Sequence, residues 1–141
     1  MLGDITGVDA LYIVSGYTDM RKSVDGLIAL IEGTYHMNPH DNALFLFCGR
    51  KCDRIKALYH DNDGFILLYK RLTGDGRYRW PRNANEVRSL TWRQFEWLME
   101  GLEIDQPKAI KPSVKTKRKS GSKEIDNQHF IRQIILRLPF L

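Results

Sequence analysis

Four strand-like runs succeed one another between residues 43 and 80: ALFLFC (43–48), RIKALY (54–59), FILLYKRL (65–72) and RYRW (77–80). The segments that join them, GRKCD, HDNDG and TGDG, are short and rich in Gly, Asp and Asn. Parallel neighbours need a crossover of a dozen or more residues, so connections this short restrict the runs to an antiparallel meander. Upstream, ALYIVS (10–15) stops at Gly16 and reads as a first strand. Thr18 and Asp19 are natural N-caps. Met20, Val24, Leu27, Ile28 and Ile31 then recur at helical spacing, which predicts an amphipathic helix to about Tyr35. Downstream, PRNANEVRSL (81–90) reads as a connector, and Thr91 as the cap of a helix with Phe95, Leu98 and Leu102 on one face. The expected architecture is α+β, in the order β-α-β-β-β-β-α: an antiparallel sheet of about five strands, packed with two helices on one face.

At 141 residues the chain is about one domain's worth. The formal charge of +5 is not spread evenly. Residues 1–106 hold 13 Lys and Arg against 15 Asp and Glu, whereas residues 107–141 hold 9 against 2. A near-neutral domain over 1–105 is therefore expected to precede a flexible basic linker over 106–125. A short amphipathic helix is expected over 126–141, with Phe130, Ile131, Ile134, Ile135 and Leu138 on one side. An apolar face at the end of such an arm suits a partner surface, and self-association through it is one expectation. No run approaches the ~18 apolar residues of a membrane span. The N-terminal MLGDITGVDALYIVSG has acids where a signal peptide needs positive charge. The expected address is cytoplasmic, with Cys48 and Cys52 as thiols.

Several motifs occur in a fixed order: GYTDMRKSVDGL (16–27), ALFLFCGRKCDRIKALYHDNDGFILLYKRL (43–72), GRYRWP (76–81) and LMEGL (98–102). The set resembles the TnpB, or Orf-two-like, accessory proteins encoded beside the transposase in bacterial insertion-sequence-66-type elements. The resemblance covers roughly residues 1–105. It implies a non-catalytic accessory factor of DNA transposition, with the transposase of the same element as partner and strand chemistry done elsewhere; no cofactor is expected. The family offers no settled catalytic residues to carry over. Where it commonly has a tryptophan before the acidic turn, this chain has His60.

The residues themselves point to phosphate contact. Arg21 and Lys22 fall in the expected first helical turn, where the helix dipole disfavours cations and an anion would offset the cost. The opposing reading is that they point into solvent or pair with Asp19 or Asp25. Alternation puts Arg54 and Lys56 on one strand face and Arg77 and Arg79 on one face of theirs, joined by Lys70 or Arg71 according to register. With Arg50 and Lys51 from the GRKCD turn, these residues form a basic surface suited to a DNA backbone. An exposed sheet face is, equally, polar without any ligand. Tyr59, Tyr69, Tyr78 and Trp80 suit base stacking, but aromatics facing a helix across a sheet belong more often to the core. His36-x3-His40 before Cys48-x3-Cys52 has zinc-like spacing, against which Cys48 ends an apolar strand and is expected to point inward. P-loop, nucleophile-elbow and HExxH motifs are absent, and Asp61, Asp63 and Asp75 sit in turns. Three functions remain: an adaptor between DNA and transposase, a factor that assembles or regulates the transposase without DNA, and, least favoured, a metal-dependent nuclease.

Overall fold

In the computed structural model of the chain, residues 7–83 and 86–111 are described. The elements are β1 (Ala10–Val14), α1 (Val24–Ala29), which runs on into a π-helical stretch over Leu30–Thr34, β2 (Ala43–Cys48), β3 (Arg54–Asp61), β4 (Gly64–Arg71), β5 (Val87–Leu90) and α2 (Trp92–Met99). One five-stranded sheet has the spatial order β4-β3-β2-β1-β5. β2–β3, β3–β4 and β1–β5 pair antiparallel; β1 and β2, separated by the helical crossover, pair parallel. The α+β class and the β-α-β-β-β-β-α order are as the sequence implies.

Two strand assignments differ. RYRW is not a strand, although its alternation is real: Tyr78 and Trp80 are buried, while Arg77 and Arg79 are exposed. The segment meets the chain at the ends of β1 and β2 and is held by isolated bonds. Leu72 N–H donates to Asp53 O at 2.8 Å, Tyr78 N–H to Cys52 O at 2.8 Å, and Trp80 Nε1–H to Val14 O at 2.9 Å. The fifth strand is instead Val87–Leu90, inside the expected connector, and it pairs with β1, far away in sequence.

The sheet is also covered on both faces, not on one. Leu27 and Ile31 of the crossover pack with Phe45, Phe47 and Leu58. Phe95 and Leu98 of α2, with Tyr78, Trp80 and Ile104, pack on the other face with Leu44, Leu46, Ala57 and Leu68. All six residues of β2 are buried, which explains the uninterrupted apolar run ALFLFC in a central strand with no solvent side. Fully burying a residue such as Phe45 stabilises the fold by about 1.5–3 kcal/mol.

The helix ends have local causes. α1 starts at Val24 with Ser23 at the N-cap position, not at Thr18 or Asp19. Asp19 Oδ1 accepts the Arg21 backbone N–H at 2.9 Å, a local turn that competes with helix initiation. α2 begins where expected, in a capping box: Thr91 Oγ1 accepts from Gln94 N–H at 3.0 Å, and Gln94 Oε1 from Thr91 N–H at 2.9 Å. LMEGL is its stop. Gly101, at φ +80°, donates to Leu98 O at 3.1 Å and Leu102 donates to Trp97 O at 2.9 Å, the paired bonds of a Schellman cap. The basic segment beyond residue 111 and the expected helix over 126–141 lie outside the described residues.

Candidate nucleic-acid interface

β1 and β2 run parallel, so their C-terminal ends emerge side by side. At that end Gly16, at φ +77°, turns the chain; its N–H donates to Pro81 O at 2.7 Å, and Thr18 N–H donates to Cys48 O at 2.8 Å. The GRKCD turn is closed by Cys52 N–H donating to Gly49 O at 3.0 Å, with Cys52 itself left-handed at φ +55°. These anchors bring the Gly16 loop, the Gly49–Cys52 turn and segment 72–81 together. Between them lie two open depressions of about 380 and 880 Å³ that share Tyr17, Arg50 and Lys51 as walls.

The smaller depression adds Arg54, and the larger adds Arg77, Arg79 and Arg82. Carboxylates are present as well: Asp19, Asp53, Asp75, Glu103 and Asp105. Three of these are engaged, Asp19 with Arg21 at 2.7 Å, Asp53 with Arg54 at 3.4 Å and Asp105 with Arg88 at 2.9 Å. Among the described residues, Arg50, Lys51, Arg77, Arg79 and Arg82 make no ion pair, against Asp75 and Glu103 on the acidic side. The groove is therefore locally cationic within a near-neutral domain. Arg77 is held by the backbone, its Nη1–H donating to Gly76 O at 2.7 Å. Tyr17, 42 % exposed, lines both depressions.

The residues singled out from sequence fall into four places. Arg50, Arg54, Arg77 and Arg79 meet in the groove. Arg54, Lys56 and Arg71 share the sheet face that carries α1, because Arg54 pairs with Arg71 and Lys56 with Tyr69 across β3–β4. Lys70 pairs with Ile55 on the opposite face, and its Nζ lies 6.0 Å from the Tyr78 ring centroid. Register thus selects Arg71, and a single surface joining every cation does not form. Arg21 and Lys22 precede α1 instead of lying in its first turn. Arg21 is closed onto Asp19 by Nε–H bonds of 3.0 and 3.1 Å and an Nη2–H bond of 2.7 Å, and the hydrogen bonds from Arg21 hold the Asp19 carboxyl well below the usual carboxylate range. Lys56 has a structural role. Its Nζ donates to Lys22 O at 2.6 Å and sits 5.9 Å from the Tyr69 ring, with burial pushing its ammonium pKa down.

Tyr59, Tyr78 and Trp80 are core residues, while Tyr69 is half-buried. The cysteines serve the turn. Cys48 is buried, and burial first, then neighbouring Cys52, pushes its thiol up; both are free. The histidine half of the zinc-like spacing lies elsewhere. His40 precedes β2 and packs against His60 and Phe65 at 4.7 and 5.2 Å, whereas Cys48 ends β2, roughly 16 Å further along the strand. His60, in place of the tryptophan common in the resembled family, fills an aromatic role against Phe65 at 4.8 Å. Among the described residues no three His, Cys, Asp or Glu side chains converge in a group that would hold a metal ion, and no helix is long and apolar enough to cross a membrane. Sequence reasoning missed Arg82 and Tyr17. Arg82 breaks the alternation of Arg77 and Arg79, since that spacing falls on Pro81; its closeness to the RYRW run is the one signal that would have pointed to it.

The chain is similar to known proteins over most of its length. The family model described as IS66 Orf2 like protein matches residues 9–109. The protein y4hO of Sinorhizobium fredii (strain NBRC 101917 / NGR234), itself uncharacterized, is 31% identical over 97 residues, spanning 69% of this chain and 84% of its own length. Uncharacterized protein y4jC of the same strain is 27% identical over 103 residues, spanning 73% of this chain and 86% of its own. No solved structure matches the chain.

Proposed function

The chain belongs to the IS66 Orf2-like family, and we propose that it is a non-catalytic adaptor in transposition, holding DNA beside the transposase of its element. The observation that carries the DNA half is the groove at the ends of β1 and β2, where Arg50, Lys51, Arg77, Arg79 and Arg82 converge without carboxylate partners among the described residues. Cations on backbone-anchored loops suit the phosphate backbone, which brings affinity and salt dependence rather than sequence choice. Tyr17, exposed and lining both depressions, offers a ring for an unstacked base at a strand end or junction. The transposase meets the adaptor on another surface, and the basic segment after residue 106 adds non-specific attraction to DNA.

The test is a salt-titrated binding measurement with full-length protein and duplex or single-stranded DNA. Affinity that falls linearly in log–log form with salt, with a slope of roughly −0.9 per phosphate contacted in a duplex, supports the adaptor. No affinity at low salt for either form, combined with capture of the transposase, would leave the factor that assembles the transposase without touching DNA.

A further inference from the structure

The groove leaves one feature of the sheet unused. Its two edges are unequal: β5 has four residues, whereas β4 has eight and lies at the far edge, with one side unpaired among the described residues. Long edge strands are usually blunted by proline, by a charge in mid-strand or by a bulge, because their open N–H and C=O groups template pairing with another chain. Residues Gly64–Tyr69, GFILLY, carry no proline and no charge, and every residue of β4 from Gly64 through Arg71 keeps ordered register with β3.

Charge is gathered at the two ends of the strand. The two-residue hairpin before it is flanked by Asp61 and contains Asp63, and the strand closes on Lys70 and Arg71. Asp63 and Arg71 are both exposed, and neither makes an ion pair among the described residues. Arg71 stands directly across from Arg54, a like-charge pair that costs free energy, and Arg54 alone has a carboxylate, Asp53 at 3.4 Å. A two-fold axis through the middle of an antiparallel β4–β4 pair would bring Asp63 of one copy to Arg71 of the other, twice. It would leave the apolar residues 65–69 facing their counterparts. A parallel pairing would set like charge on like.

We propose that β4 is a self-complementary edge through which two copies of this chain pair antiparallel, extending the sheet across the dimer. The occupant is a second copy because the strand's opposed ends match each other in sign and spacing under two-fold symmetry. Pairing through β4 does not depend on the DNA reading and is tested without nucleic acid.

Sedimentation equilibrium of the full chain at low salt, over a wide concentration range, is expected to show mass rising from 16.4 kDa toward twice that value. Arg71→Glu and Asp63→Lys should each weaken association about tenfold, since each reversal touches two symmetry-related pairs. The combined variant exchanges the two signs and should recover most of the lost affinity. Arg71→Glu places a carboxylate opposite Arg54, so the fold is expected to survive, and circular dichroism checks it. Hydrogen exchange at residues 64–71 should slow as protein concentration rises. A chain that stays monomeric throughout overturns the proposal. So does a dimer indifferent to both single reversals, or a folded double variant that associates no better than either single one.

Discussion

Trp80→Phe tests whether segment 72–81 is a fixed strut or a loose connector. Trp80 is 4 % exposed, and its Nε1–H donates 2.9 Å to Val14 O at the end of β1. Phenylalanine keeps an aromatic ring but deletes this donor and the outer part of the indole. Depriving a buried carbonyl of a donor costs about 1–3 kcal/mol. The unfilled volume adds about 1–2 kcal/mol, at ~0.8 kcal/mol per lost carbon-sized group with incomplete relaxation. A loss of about 2–5 kcal/mol is therefore expected, measured as the shift in urea-unfolding free energy followed by circular dichroism, because the tryptophan signal itself is altered. The same substitution should weaken DNA binding at a protein concentration where the variant is still folded, since Arg77 and Arg79 closely precede the anchor. A stability loss below about 0.5 kcal/mol, the level of an ordinary surface change, would refute the strut.

The caps and the ion pairs carry further expectations. Gly101→Ala forces a side chain into φ +80° at the α2 stop and should cost about 1–2 kcal/mol in chemical denaturation. Hydrogen bonds from Arg88 hold the Asp105 carboxyl below its usual range, as those from Arg21 do for Asp19. A folded pKa depressed below the unfolded ~3.9 contributes stability that is present above that value and lost as pH falls through the folded one. Unfolding free energy should thus decline below about pH 4, and Asp105→Asn should make the decline shallower by no more than about 1 kcal/mol, because the pair is largely solvated.

The strands with the strongest signals were legible because their patterns are local. ALFLFC and the two runs that follow it have short turns and apolar or alternating faces, and β2–β4 lie where those patterns put them. RYRW imitates a strand because the same alternation arises in an extended segment pinned by Tyr78 and Trp80. VRSL lacks a local signal: its strand character comes from pairing with β1, some seventy residues earlier. The parallel β1–β2 pair follows from the intervening helical crossover, which fixes direction only once both strands are known to be adjacent.

The faces of the charged residues were also legible, but not what covers them. Period-2 alternation separates Arg54 and Lys56 from Ile55 and Ala57 correctly. It cannot report that the crossover helix packs on the same face, or that Lys56 is spent on the Lys22 carbonyl. The groove joins turns from three separate parts of the chain, so no window of sequence contains it.

The central claim, that DNA lies in this groove, is met most directly by comparing Arg77→Glu/Arg79→Glu with Arg93→Glu in salt-titrated binding of the full chain. Arg93 is an exposed cation on α2, outside the groove, stacked over Trp97 at 5.2 Å. The groove variant is expected to lower affinity tenfold or more and to reduce the duplex salt slope by about 2, while Arg93→Glu changes both little. Equal losses in the two proteins, or a groove variant that binds like the parent, would contradict it.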